Sequence, residues 1–141
     1  METYNLRIMT PEREFFNGEV ISLTVRSIDG ELCILAHHLP MIAALEVGEI
    51  ALRINDPETG EETVRRAFAS GGFVEVLTDR VMCFTQACEW PEEIDVRRAE
   101  ESRIRAEERL RQKQSVVEYK SSKIALARAM ARLRISGHGI K

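Results

Sequence analysis

The chain has 141 residues, is 44% hydrophobic, and carries 20 Lys plus Arg against 23 Asp plus Glu, a formal net charge of −3. That size fits one domain, or a small domain with an appendage, and the hydrophobic content excludes global disorder. No apolar run approaches the roughly 18 residues of a membrane span, the start Met1 to Arg7 lacks a secretory pattern, and three cysteines without Cys-x-x-Cys argue against a disulfide scaffold or zinc ribbon. The expectation is a soluble cytosolic chain that could still sit on a membrane complex as a peripheral part.

The first elements in chain order read as strands. Tyr4–Met9 alternates at period 2 and stops at Thr10-Pro11. Glu19–Val25 follows the turn residues Asn17-Gly18, and Glu31–Leu35 follows Asp29-Gly30. Glu49–Ile54 and Thr63–Ala69 flank a hairpin-type loop, Asn55 to Gly60. Gly71-Gly72 precedes Phe73–Leu77, and Thr78-Asp79 leads to Arg80–Thr85. Short strands at about ten-residue spacing predict an antiparallel sandwich or barrel.

Composition then changes. Residues 1–88 hold 7 arginines, no lysine and 14 acids, a net of −7; residues 89–141 hold 13 bases and 9 acids, a net of +4. The second part reads as two helices, Ile94 to about Lys113 and about Val116 to Ile135, joined by a turn at Gln112-Lys113-Gln114-Ser115. Pro91 suits a helix entry. Leu126, Met130 and Leu133 make an apolar stripe, and Ala127 and Ala131 a second set permitting close helix contact. The pair predicts an antiparallel hairpin with thin apolar stripes, weakly docked. The expected units are 1–88 and 89–141.

Catalytic motifs are missing. Ser70-Gly71-Gly72 lacks the Lys-Ser/Thr of a phosphate loop and reads as a tight turn between strands. His37-His38, adjacent on a strand, would point to opposite faces and chelate one metal poorly. Cys83 and Cys88 read as small buried hydrophobes. No nucleophile elbow is present. The tail mixes acids with its bases and has only Trp90 and Tyr119 as aromatics, which argues against nucleic acid.

The hairpin arginines are more informative. Arg98 and Arg105 are seven apart, hence about 20° apart on a helix, with Asp95 three before Arg98. Arg128 and Arg132 stand at i, i+4, opposite the Leu126/Met130/Leu133 stripe. Adjacent arginine faces would need an anion, and guanidinium matches phosphate oxygens in pairs. A solvated charged face, a phosphate ligand and an acidic protein surface all fit this spacing.

The ordered motifs Thr10-Pro11-Glu12, Gly18-Glu19-Val20, Asp29-Gly30-Glu31-Leu32, His38-x-Pro40, Leu45-x-x-Gly48 and Ser70-Gly71-Gly72-Phe73-x-Glu75-Val76 occur in the first unit. Glu92-Glu93-Ile94-Asp95-x-x-Arg98-Ala99 and Ala125-Leu126-x-Arg128-Ala129-x-x-Arg132-Leu133 occur in the tail. Over essentially its whole length the chain resembles the epsilon subunit of the rotary F-type ATP synthase. It departs from that pattern at Cys33, Ala36-His37, Trp90-Pro91 and Ser121-Ser122-Lys123.

The resemblance implies an antiparallel β-sandwich of about ten strands followed by an α-helical hairpin, and a non-catalytic rotor part. The sandwich would bind the gamma subunit and sit on the membrane c-ring, with Glu31 and His38 in the ring-facing stretch. The hairpin would fold down, or extend along gamma toward the catalytic alpha/beta head and inhibit ATP hydrolysis. It would bind ATP as a regulatory ligand in the folded form. The matched positions are Glu89, Ile94, Asp95, Arg98, Ala99, Arg105, Arg128 and Arg132: Ile94 and Ala99 beside the adenine, Glu89 and Asp95 accepting hydrogen bonds, the arginines holding phosphates. It implies a peripheral place on the cytoplasmic face of a bacterial inner membrane, with no span, metal or required cofactor. A stand-alone adaptor, a sandwich with a helical protein-binding arm, is the alternative; a small all-β enzyme is a third reading, disfavoured because no catalytic constellation converges.

Overall fold

The structure is a computed structural model that describes residues 2–112 and 115–137. The expected turn residues Lys113 and Gln114 lie outside the described residues. Internal contacts divide the chain into two units, one up to Glu89 and one from Trp90 onward.

Eight strands build the first unit: β1 (Tyr4–Met9), β2 (Glu14–Val20), β3 (Ser22–Ser27), β4 (Gly30–Leu35), β5 (Met41–Asn55), β6 (Glu62–Val76), β7 (Arg80–Thr85) and β8 (Cys88–Glu89). They hydrogen-bond in the order β2-β1-β7-β6-β5-β3-β4, with β8 on β6. The path closes over itself as a sandwich through the hairpin of β5 and β6. The far half of β5 pairs with β3, while the far half of β6 pairs with β7. Each 15-residue strand therefore serves both layers. Counted by layer, the two long strands appear twice, which reconciles eight strands with the expected ten.

Alternation fills the interior. Leu6 and Ile8 of β1, Leu23 and Val25 of β3, Ile34 of β4, Leu52 of β5 and Val74 of β6 are all buried, as the period of 2 requires when one face of each strand turns inward. Burial pushes the Cys83 thiol up to about 12, so it packs as a neutral hydrophobe.

Four expectations change. Asn17-Gly18 is no turn: it lies within β2, opposite Arg7 and Leu6. Asn5 Nδ2 donates to Asn17 Oδ1 at 3.3 Å, and Gly18 leaves room for the Phe16 ring. The chain breaks instead at Ile21, whose N–H donates to Arg53 O at 2.7 Å. Ser70-Gly71-Gly72 is likewise no turn between strands but the bend within β6. Gly71 and Gly72 have φ of +104° and +130°, and a Cβ on Gly72 would lie 1.8 Å from Phe84 O. Only glycine takes that conformation at that approach. β1 runs parallel to β7, so the sheet is not wholly antiparallel. His37 and His38 follow β4 in a turn and not on a strand, with His37 at φ +64°.

In the second unit a 3₁₀ turn, Pro91–Glu93, precedes α1 (Val96–Arg111) and α2 (Val116–Ile135). The Trp90 N–H donates to Glu93 Oε1 at 2.9 Å and closes the turn. α2 is capped reciprocally: the Glu118 N–H donates to Ser115 Oγ, and the Ser115 N–H to Glu118 Oε2. The helices pack together, and four intervening residues oblige them to run antiparallel. Small residues a heptad apart are buried on each: Ala99 and Ala106 on α1, Ser122 and Ala129 on α2. Of the expected close-contact pair, Ala131 is buried but Ala127 is exposed. The Leu126/Met130/Leu133 stripe is buried fully only at Leu133.

Candidate functional site

The matched residues differ in burial and in the element that carries them. Asp95 is the N-cap of α1, its Oδ1 accepting the Arg98 N–H at 3.0 Å. The Asp-x-x-Arg spacing is thus also a helix-start signal, because a cap oxygen reaches the N–H three residues on. Ile94 and Ala99 are buried. Glu89 is half-buried on β8, opposite Phe68.

Arg98 and Arg105 are exposed on α1, and Arg105 Nη2 donates to Ser102 Oγ at 3.2 Å. Arg128 and Arg132 are half-buried on α2. Arg98 lies thirteen residues before the last residue of α1, and Ala129 thirteen after the first of α2. Antiparallel packing therefore sets Arg98 level with the turn that carries Arg128 and Arg132, and Arg105 about 10 Å nearer the hairpin tip. Arg128 Nε is buried with no hydrogen-bond partner among the described residues. An orphaned buried guanidinium N–H is costly, so this atom is suited to an acceptor brought by a ligand.

Arg103 behaves differently. It pairs with Glu100 and, at 2.9 Å, with Glu107 on its own helix. The Arg103 hydrogen bond holds the Glu100 carboxyl below its usual range, and the two acids raise Arg103. This arginine is spent on the helix and is not available to an anion.

Of the pair expected to face a ring, Glu31 is exposed on β4 and directly opposite Arg26 of β3. His38 is half-buried; its N–H donates to Leu35 O at 3.2 Å and its Nδ1 lies 2.9 Å from Leu39 O. Large apolar side chains nearby in sequence are exposed: Ile28, Leu35, Leu39 at 79% and Ile42 at 68%.

Sequence reading missed an apolar row across the outside of one layer. Register aligns Ala44 of β5, Phe73 of β6, Phe84 of β7 and Met9 of β1. Phe73 and Phe84 stack at 5.0 Å between centroids, and Phe73 stays 41% exposed. Ile28 donates its N–H to Ala44 O and extends the row. The row exists only through cross-strand register, so spacing along the chain gave no sign of it. No group of His, Cys, Asp and Glu that could hold a metal occurs among the described residues, and no helix there is long and apolar enough to cross a membrane.

Two family models match in order: the ATP synthase delta/epsilon chain beta-sandwich domain over residues 3–91, and the delta/epsilon chain long alpha-helix domain over residues 92–137. The chain is 46% identical to an ATP synthase epsilon chain of Ruminiclostridium cellulolyticum, covering 94% of this chain and 95% of that one. It is 40% identical to one of Caldanaerobacter subterraneus subsp. tengcongensis, covering 96% and 94%. Its fold is similar to a chain in the Euglena gracilis mitochondrial ATP synthase, with a TM-score of 0.74 at 23% identity over 90% of this chain and 77% of that one. A chain from the Tetrahymena thermophila mitochondrial ATP synthase central stalk and c-ring gives 0.70 at 13% identity, over 96% and 97%.

Proposed function

The chain belongs to the ATP synthase delta/epsilon chain family, and on that premise we propose that it is a non-catalytic central-stalk subunit that couples ring rotation to the catalytic head. Its sandwich joins the gamma subunit and the c-ring, and the whole sits peripherally on the cytoplasmic face of a bacterial inner membrane. The observation that carries the docking role is the exposed Ala44–Phe73–Phe84–Met9 row. A stacked, half-exposed aromatic pair in a layer of otherwise mixed polarity is the kind of patch that a protein partner covers. Phe73→Asp should abolish co-purification with gamma while the isolated chain keeps its melting temperature within a few degrees. Undiminished co-purification would remove this face from the account. Glu31 and His38 lie outside the core and would meet polar ring groups. Substituting them should lower coupling between proton flow and ATP turnover with little change in melting temperature.

The hairpin is the regulatory arm, and ATP is its ligand in the folded form. Arg98, Arg128 and Arg132 would hold phosphates at one level, Arg105 would reach the ligand from nearer the tip, and the orphaned Arg128 Nε supports this fit. Glu89 and Asp95 are the acceptors for ligand hydrogen bonds, with one Asp95 oxygen already given to the helix cap. Ile94 and Ala99, being buried, shape the packing beside the adenine and leave most of the affinity to the arginines. A ligand bridging both helices stabilises the folded arm by about 2.7 kcal/mol at a hundredfold excess over Kd. That is enough to oppose extension toward the alpha/beta head. Calorimetry on the purified chain tests this: Arg98→Ala should weaken ATP binding by roughly 1.5–3 kcal/mol. No heat with millimolar ATP on the unmodified chain would leave these arginines as contacts for an acidic protein surface.

A further inference from the structure

A cavity of about 270 Å³ opens at one end of the sandwich, between the start of β1, the end of β2, the turn after β4 and the β6–β7 turn. Asn5, Glu19, His37, His38, Asp79 and Arg80 are among its lining residues. Their hydrogen bonds fix what the lining offers. Leu39 O can only accept, so the 2.9 Å contact is made by a proton on His38 Nδ1. Asn5 gives one amide N–H to Asn17, which leaves its other N–H and its carbonyl oxygen. Glu19 receives only a hydroxyl, from Thr3 at 3.0 Å, and no basic side chain offsets its charge among the ion pairs of the described residues. Arg80, the one permanent cation of the lining, is already paired with Asp79 at 3.2 Å, and His37 is paired with Glu2. The remaining capacity is an uncompensated carboxylate beside neutral amide and hydroxyl groups, in a space large enough for one long side chain.

We propose that this cavity receives the guanidinium or ammonium end of a basic side chain carried by a protein partner. The charge balance favours a cation over an anion such as phosphate, since a further acid in the cavity would meet both Glu19 and Asp79 against the single permanent cation Arg80. The cavity shares His38 with the ring-facing stretch, so the partner's identity, though not the cavity's chemistry, rests on the proposed rotor function.

The chemistry is tested on the isolated full chain, labelled with nitrogen-15 and titrated with N-acetyl-arginine amide against matched sodium chloride. Saturable shifts at Glu19, His38 and Asp79 are expected. Glu19→Gln, which keeps size and fold, should weaken binding at least about tenfold. Shifts that grow linearly without saturating, shifts that sodium chloride reproduces, or inorganic phosphate binding in place of the arginine compound would overturn the proposal. Source is tested separately in the assembled rotor, where Glu19→Lys would fill the cavity with the chain's own cation. Reduced retention of the variant on gamma and ring is expected, and unchanged retention would overturn the assignment to a protein partner. If the unmodified chain fails to join the rotor at all, the rotor reading fails while the arginine titration still decides the cavity's chemistry.

Discussion

The two units are held together by different means. In the sandwich, large side chains such as Phe68, Leu6, Ile8, Leu23, Ile34 and Leu52 lose all contact with water. In the hairpin, the buried set is Ala99, Ala106, Ser122, Ala129 and Ala131, with Leu133 the one large member among the described residues. Full burial of a leucine is worth about 1.5–3 kcal/mol, against about 0.8 kcal/mol for a single methyl-sized group. Small residues let the helices approach closely yet hold them weakly. Caps and intrahelical ion pairs such as Arg103 with Glu100 and Glu107 supply the rest. The comparison teaches that one unit rests on large buried side chains and the other on small ones, the construction that the movable arm proposed above requires.

The largest expected effect lies in the permanent unit. Gly72→Ala would drive a Cβ into Phe84 O at the bend of β6 and should abolish cooperative melting of the sandwich. Leu52→Ala should cost about 2–5 kcal/mol by denaturant titration. Tolerance of both would mean that the bend and core are not what sets stability. In the arm, Asp95→Ala and Ser115→Ala remove single caps and should each cost about 1 kcal/mol. Helix content by circular dichroism should fall while the main melting transition stays in place. A shift of that transition would show that the two units melt as one.

A smaller effect separates stability from surface charge. The Arg7 guanidinium holds the Glu14 carboxyl below its usual range through hydrogen bonds of 2.6 and 3.1 Å. A depressed folded pKa contributes stability above the unfolded value, about 4.3, and that contribution disappears as pH falls through the folded one. Both groups are exposed, so Arg7→Ala should raise the Glu14 midpoint in an NMR titration with no measurable change of melting temperature at pH 7. A similarly small effect is expected from truncation. A chain ending after Cys88 contains nearly every strand, and should melt cooperatively within a few degrees of the full chain.

Legibility in the sequence follows the same division. The bounds of α2 are legible, because the run free of Gly and Pro and the Gly137 that ends it are local signals. The Asp29-Gly30 and Asn55–Gly60 turns are local too. Asn17-Gly18 and Gly71-Gly72 misled because the same dipeptides serve a cross-strand contact and a bend, and only the partner strand distinguishes these from turns. The start of β5 at Met41, and β8, escaped notice for a related reason: their pairing is with β6, far away in sequence. The family motif marked the hairpin arginines, but spacing could not tell that Asp95 Oδ1 is already engaged by the Arg98 N–H or that the Nε of the half-buried Arg128 is shut away from water. The Phe73–Phe84 row and the Glu19 cavity are assembled from four strands or loops each, beyond the reach of any linear pattern.

Native-state hydrogen exchange on the full chain tests the division most directly. Amides of β1, β3, β5 and β7 should exchange only through global unfolding. Those of α1 and α2 should exchange through a local opening of distinctly lower free energy, which ATP raises. Helix amides protected as strongly as the strand amides, with or without ATP, would contradict a movable arm on a self-supporting sandwich.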